Sequence, residues 1–288
     1  MPHRQRGARQ RYSAKPKNNL GLAIGAVAAV GSLLVFGVVG ILATPPKRDG
    51  DLCIRGEAPV AIVAVVVDAS GEFSEIQQEA LIDRFQRALA HLSPPESATR
   101  LVAAETRVDL YDASTSAGRS LEPVFSMCAP APLVGMSAIA GNARRVEREY
   151  HTEFVEPLLA ELRGLVGRPE SDRSPILESV TAAVEHSFLG RTTQNQQAVL
   201  VVSDFLQNSS VISFYRSGIP DFEDFSASPA FNAVRPDMKG ADFCPIIITR
   251  TSAVEDRLQT IALFRWWEEY ASSNRGRFDA FCTREFQL

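Results

Sequence analysis

Four cysteines and four histidines are few for a chain of 288 residues. No two cysteines form a C-x-x-C pair and the histidines are scattered, so the ligand spacing of a zinc site is missing. No phosphate-cradling motif is present, and the Gly135 to Gly141 spacing does not fit a dinucleotide fingerprint. There is no G-x-S-x-G turn, which removes the commonest serine-hydrolase signature. Internal repeats are also missing. Acidic side chains are absent before residue 20, and charge of either sign is absent from residues 20–43.

The last two absences organise the N-terminal region. Residues 1–19 carry Arg4, Arg6, Arg9, Arg11, Lys15 and Lys17 with no acid. A basic arm of this kind can bind nucleic acid, but the rest of the chain has the opposite sign. From Lys47 onward lie 24 basic and all 34 acidic side chains, a balance of −10, which excludes a nucleic-acid surface as the main function. Residues 20–43 are uncharged and apolar. A helix of that length spans roughly 36 Å, enough to cross a hydrocarbon core of about 30 Å. No small-x-small site suggests cleavage. The expectation is a single-pass protein in the cytoplasmic membrane. The basic tail stays in the cytoplasm, and residues 44–288 face outward. Gly21, Gly25 and Ala29 recur at four-residue spacing, which would let two copies pack as a homodimer within the membrane. All four cysteines (Cys53, Cys128, Cys244 and Cys282) then lie on the oxidising side, where disulfides form, with three pairings open.

Residues 44–58 form a polar linker with Pro and Gly punctuation. The domain proper runs from 59 to 288. Residues 59–67 are apolar on both faces, the pattern of a strand buried between two layers. Ser74 to Gln77 is a capping box opening a helix to about residue 92. Strands are expected near 106–111 and 122–128, and a loop over 129–142. An amphipathic helix is expected over 144–166. Ser174 and Pro175 look like an N-cap and first helical position of a helix ending near Phe188. Residues 198–204 repeat the buried-strand pattern and again end in Asp. A long polar-aromatic connection over 205–243 follows, of the kind that shapes or covers a site. A strand over 244–250, a helix over 254–272 and a strand over 278–286 complete the chain. The alternation predicts an α/β fold: a doubly wound, mostly parallel sheet flanked by helices.

In such sheets ligands bind beyond the carboxyl ends of the strands. Asp68, Ser70 and Glu72 follow the first strand, Ser174 opens a helix, and Asp204 ends another buried strand. Oxygen ligands of this type suit Mg²⁺ or another divalent cation. An aspartyl-phosphate hydrolase would need a second Asp two residues beyond the first, where Ser70 stands. His91, His151 and His186 fall within predicted helices as surface or packing residues.

The order of elements and these residues resemble the von Willebrand factor A domain, over about residues 55–288. Asp68 and Ser70 match the first two positions of its metal-ion-dependent adhesion motif. Ser174 stands where that site has Thr, and Asp204 matches its last Asp. The runs Ser174-Pro-Ile-Leu-Glu-Ser179 and Val201-Val-Ser-Asp-Phe-Leu-Gln-Asn-Ser209, with Phe264-Arg-Trp-Trp-Glu-Glu-Tyr270, are similar to a bacterial membrane-anchored branch. Glu72 departs from the motif, which expects Ser. The resemblance implies a non-enzymatic module that binds a protein partner, with or without a divalent cation. Alternatives are a metal-dependent hydrolase using the same carboxylates and a metal-free structural envelope protein.

Overall fold

The computed structural model describes residues 47–90, 105–115, 122–130, 148, 150–169, 171–191, 196–250 and 252–278. The predicted tail and span, the Gly21–Gly25–Ala29 face, the 131–142 loop and the final strand beyond 278 lie outside them. Among the described residues no helix is long and apolar enough to cross a membrane.

β1 (Ala61–Val67) is the predicted two-sided strand. Val63, Val65 and Val67 join one buried cluster, and Ile62, Ala64 and Val66 the other. A period of two on a strand apolar on both faces demands a layer on each side. α1 (Glu75–Ala90) opens with the expected capping box. The Ser74 amide donates to Gln77 Oε1 and the Gln77 amide to Ser74 Oγ. β2 (Thr106–Asp112) and β3 (Phe125–Cys128) follow.

The helix predicted over 144–166 is interrupted. A π turn over His151–Val155 precedes α2 (Glu156–Val166). Pro157 in the first turn of α2 has no N–H for the preceding turn, which accounts for the change of winding. α3 (Ile176–Phe188) starts two residues after Ser174. β4 (Gln196–Ser203) leads into α4 (Phe214–Ser217), α5 (Phe222–Ser226) and α6 (Pro229–Asn232). β5 (Asp242–Ile247) is followed by α7 (Ala253–Leu258), α8 (Ile261–Ser273) and β6 (Arg277–Phe278).

The sheet order is β3-β2-β1-β4-β5-β6. Only the β2–β3 pair is antiparallel. α1 and α2 cover one face. α3, α8 and the 205–243 connection cover the other. That connection is largely a packing element. Phe222 and Phe225 pack edge-on or tilted against Trp266, whose ring also stacks on Tyr270. Trp266, hard to assign from helical spacing, is buried at the centre of this aromatic cluster.

Cys53 and Cys128 form a disulfide, which ties the linker to the β3 edge of the sheet. Cys244 is also disulfide-bonded, and its partner lies outside the described residues.

Candidate functional site

β1 and β4 are the strands from which the chain departs in opposite directions across the sheet, so their carboxyl ends flank a topological switch point. Asp68 and Asp204 are the residues immediately after these two strands. Both are buried. The register is fixed by the β1–β4 ladder, which continues as the Asp68 amide donates to the Val202 carbonyl at 2.8 Å.

The Asp68 carboxylate gathers three loops. Oδ1 accepts from the Ser70 amide at 3.1 Å. Oδ2 accepts from Ser174 Oγ at 2.7 Å and Ser203 Oγ at 2.8 Å. Ser174 is therefore not a helix cap. Pro175 occupies the N-cap position of α3, and the Leu177 amide finds Gln207 Oε1 instead. A two-way backbone pair joins Ser174 to Asn208, each amide 2.9 Å from the other's carbonyl. The Ser171 amide donates to the Ser70 carbonyl at 2.7 Å. The predicted convergence of the loops carrying Asp68, Ser70, Ser174 and Asp204 is thus present in the fold.

Glu72 does not join them. Its side chain is exposed and lines a separate cleft with Phe73, Gln78, Gly167 and Arg168. Only its backbone carbonyl faces the buried edge, where it accepts from Arg250 Nη1.

Asp204 carries the second cluster. Its Oδ1 accepts from the Leu206 amide at 2.9 Å, and its Oδ2 accepts from Arg250 Nε at 2.9 Å. Both members of this ion pair are buried, with side-chain exposures of 3% for Asp204 and 6% for Arg250. Burial and the charge of Asp68 push the Asp204 carboxyl up to about 6, and the Arg250 guanidinium only partly opposes them. The turn out of β4 is strained. Phe205 has a left-handed φ of 64°, held by Ser203 Oγ on its amide and Trp267 Nε1 on its carbonyl.

Arg250 was not among the predicted site residues. Its signal is nonetheless in the sequence: a lone basic residue closing the apolar run from Ile246, at the edge where β1 and β4 end in acids. A shell of Gln259 contacts holds it there. Gln259 Oε1 accepts from the Arg250 amide at 2.7 Å, while Nε2 reaches the carbonyls of Ile248 at 2.8 Å and Asp204 at 3.2 Å.

Above this edge lies a cleft of about 540 Å³ lined by Ser70, Asp172, Ser174, Asp204, Tyr215 and Glu255, among others. Asp172, Tyr215 and Glu255 are also additions to the predicted set. Tyr215 donates to Glu255 at 3.3 Å, and burial with the Asp204 and Glu255 charges raises its pKa well above the usual phenol range. Chemically the cleft offers hydroxyls and carboxylates, with no basic side chain among its lining residues.

In this arrangement a guanidinium already faces Asp204, which disfavours a divalent cation beside it. A hard divalent cation takes six or more oxygen ligands, several of which can be waters. Of the groups that donate to Asp68 and Asp204, one is a guanidinium, a positive charge that repels a second cation placed beside it. Among the described residues no group of three or more His, Cys, Asp or Glu side chains is placed to hold a metal.

Compared with known proteins, the chain matches no family model and no curated protein sequence.

Proposed function

We propose that residues 59–288 form an extracytoplasmic module of the von Willebrand factor A-like type, carried on a membrane span at residues 20–43, that binds a protein partner at the carboxyl edge of its sheet. The observation that carries this reading is the cleft over the β1–β4 switch point, built on Asp68, Ser70, Ser174 and Asp204. The element order and the placement of these four residues support the A-like assignment. The Cys53–Cys128 disulfide supports an oxidising compartment. Ile76, Tyr215 and Val254 are large hydrophobic side chains left exposed on helices that begin at this same edge. Apolar residues around a polar cleft suit a protein contact. Asp172 and Glu255 in the lining favour a partner that brings a basic side chain.

The test is photo-crosslinking in cells with the full chain. A photoreactive residue at Tyr215, Ile76 or Val254 should trap one and the same protein. The adduct should disappear when Asp172 and Glu255 are both changed to Lys. The same probe at Leu189, exposed at the far end of α3, should not form it. Equal trapping at Leu189, or no position-dependent adduct, overturns the proposal.

A further inference from the structure

We infer that Arg250 is a built-in cation: its guanidinium holds the charge-compensating position at the β1–β4 edge, so the site operates without a divalent metal. Three features form a socket for a planar guanidinium. The first is its acceptors, Asp204 Oδ2 for Nε and the Glu72 carbonyl for Nη1. The second is the Phe73 ring, buried and 5.7 Å from the guanidinium carbon. Arginine, more weakly hydrated than lysine, suits a buried pair beside an aromatic face. The third is Gly71. A Cβ at that position would overlap both the guanidinium carbon and Nη2. The glycine between Ser70 and Glu72 is therefore explained by Arg250, three residues beyond β5.

The electrostatics favour the same conclusion. Asp68 and Asp204 are both buried, and Ser203, the residue before Asp204, donates to Asp68 Oδ2. Two carboxylates out of water require a compensating positive charge. In an oxygen-ligand metal site an ion from solution supplies it. Here the chain supplies it from the carboxyl end of β5, and Gln259 fixes the backbone that delivers it. The consequence is functional. The Asp204 charge is paired at any metal concentration, and chelation does not switch that pair. This inference concerns how the edge is held and stands whether or not the protein-binding reading is correct.

The experiment uses the full chain in detergent micelles. Mn²⁺ binding is read from the spin-resonance signal of the free ion, and thermal stability is read in EDTA and in excess Mn²⁺. The wild type should bind no Mn²⁺ at the edge and melt at the same temperature in both. Stoichiometric Mn²⁺ binding by the wild type that is lost in Asp204→Asn overturns the proposal. Arg250→Gln removes the guanidinium and should acquire Mn²⁺ binding, with a melting temperature that rises with the ion and returns with EDTA. An Arg250→Gln protein indifferent to Mn²⁺ overturns it as well. If Arg250→Gln does not fold without metal, recovery of the folded protein in Mn²⁺ but not in EDTA supports the proposal, and failure in both overturns it. Asp204→Asn/Arg250→Leu, which removes both charges, should fold and ignore the ion. Acquisition of Mn²⁺ by that double variant would locate the metal elsewhere and overturn the assignment.

Discussion

Arg250 Nε donates to Asp204 Oδ2 at 2.9 Å, joining the carboxyl ends of β5 and β4 beneath the floor of the cleft. The pair sits beside Asp68, whose own carboxylate is held by Ser174 and Ser203. Removing either charge has a different cost from removing both.

Arg250→Ala should destabilise the fold by about 3–5 kcal/mol, the usual cost of leaving one partner of a buried ion pair uncompensated. Chemical denaturation of the full chain in micelles measures this. Asp204→Asn/Arg250→Leu should lose much less than Arg250→Ala, because no buried charge is left alone.

Gly71→Ala should destabilise the protein through Arg250 and not through local backbone effects, since the added methyl meets the guanidinium. The two changes are then strongly coupled. In a double-mutant cycle, Gly71→Ala should cost little once Arg250 is already Ala. Additive losses would show that Gly71 is needed for another reason.

The pH dependence follows from the Asp204 carboxyl, raised from 3.8 to about 6. Its folded form holds a proton that the unfolded chain releases, so this group's contribution to stability falls as pH rises through that window. The stability of the wild type relative to Asp204→Asn should therefore decline from about pH 4 to pH 6 and level off above. A difference that grows with pH across this range would contradict the cause assigned to the shift.

Replacing Cys53 and Cys128 with Ser should lower stability by about 2–5 kcal/mol. The bridge closes a loop across a sequence separation of 75, so much of the loss should appear as a less restricted unfolded chain. Denaturation midpoints of the wild type and the Cys53→Ser/Cys128→Ser variant, both without reductant, give the comparison, because reductant would also open the Cys244 bridge.

If residues 44–288 face outward, protease added outside intact cells should digest them. An outer membrane, where there is one, must first be permeabilised. Complete protection would place the domain on the other side of the membrane and sink the orientation proposed here.

The buried strands were legible because burial on both faces leaves an unbroken apolar run, as in residues 61–67 and 198–202. The capping box at Ser74 and Gln77 was legible because its hydrogen bonds are local. Ser174 looked like a cap for the same local reason, and its hydroxyl went instead to Asp68, 106 residues earlier. The aromatic connection over 205–243 looked like a cover for the site. Most of its rings are buried against α8, because a run without helical or strand periodicity does not reveal which face it packs on.

By itself the sequence determined that β1 and β4 are buried and that Asp68 and Asp204 follow them, because strand periodicity and chain order are properties of neighbouring residues. It also limited the cysteines to three pairings. The tertiary structure decided among long-range partners. It paired Cys53 with Cys128, turned the Glu72 side chain away from the edge, and brought Arg250 onto Asp204 across 46 residues of chain. Which loop ends meet depends on the order of strands across the sheet, and that order is set by packing on both faces at once. Two acids at neighbouring strand ends left their partners open; only the fold set Arg250 against one of them.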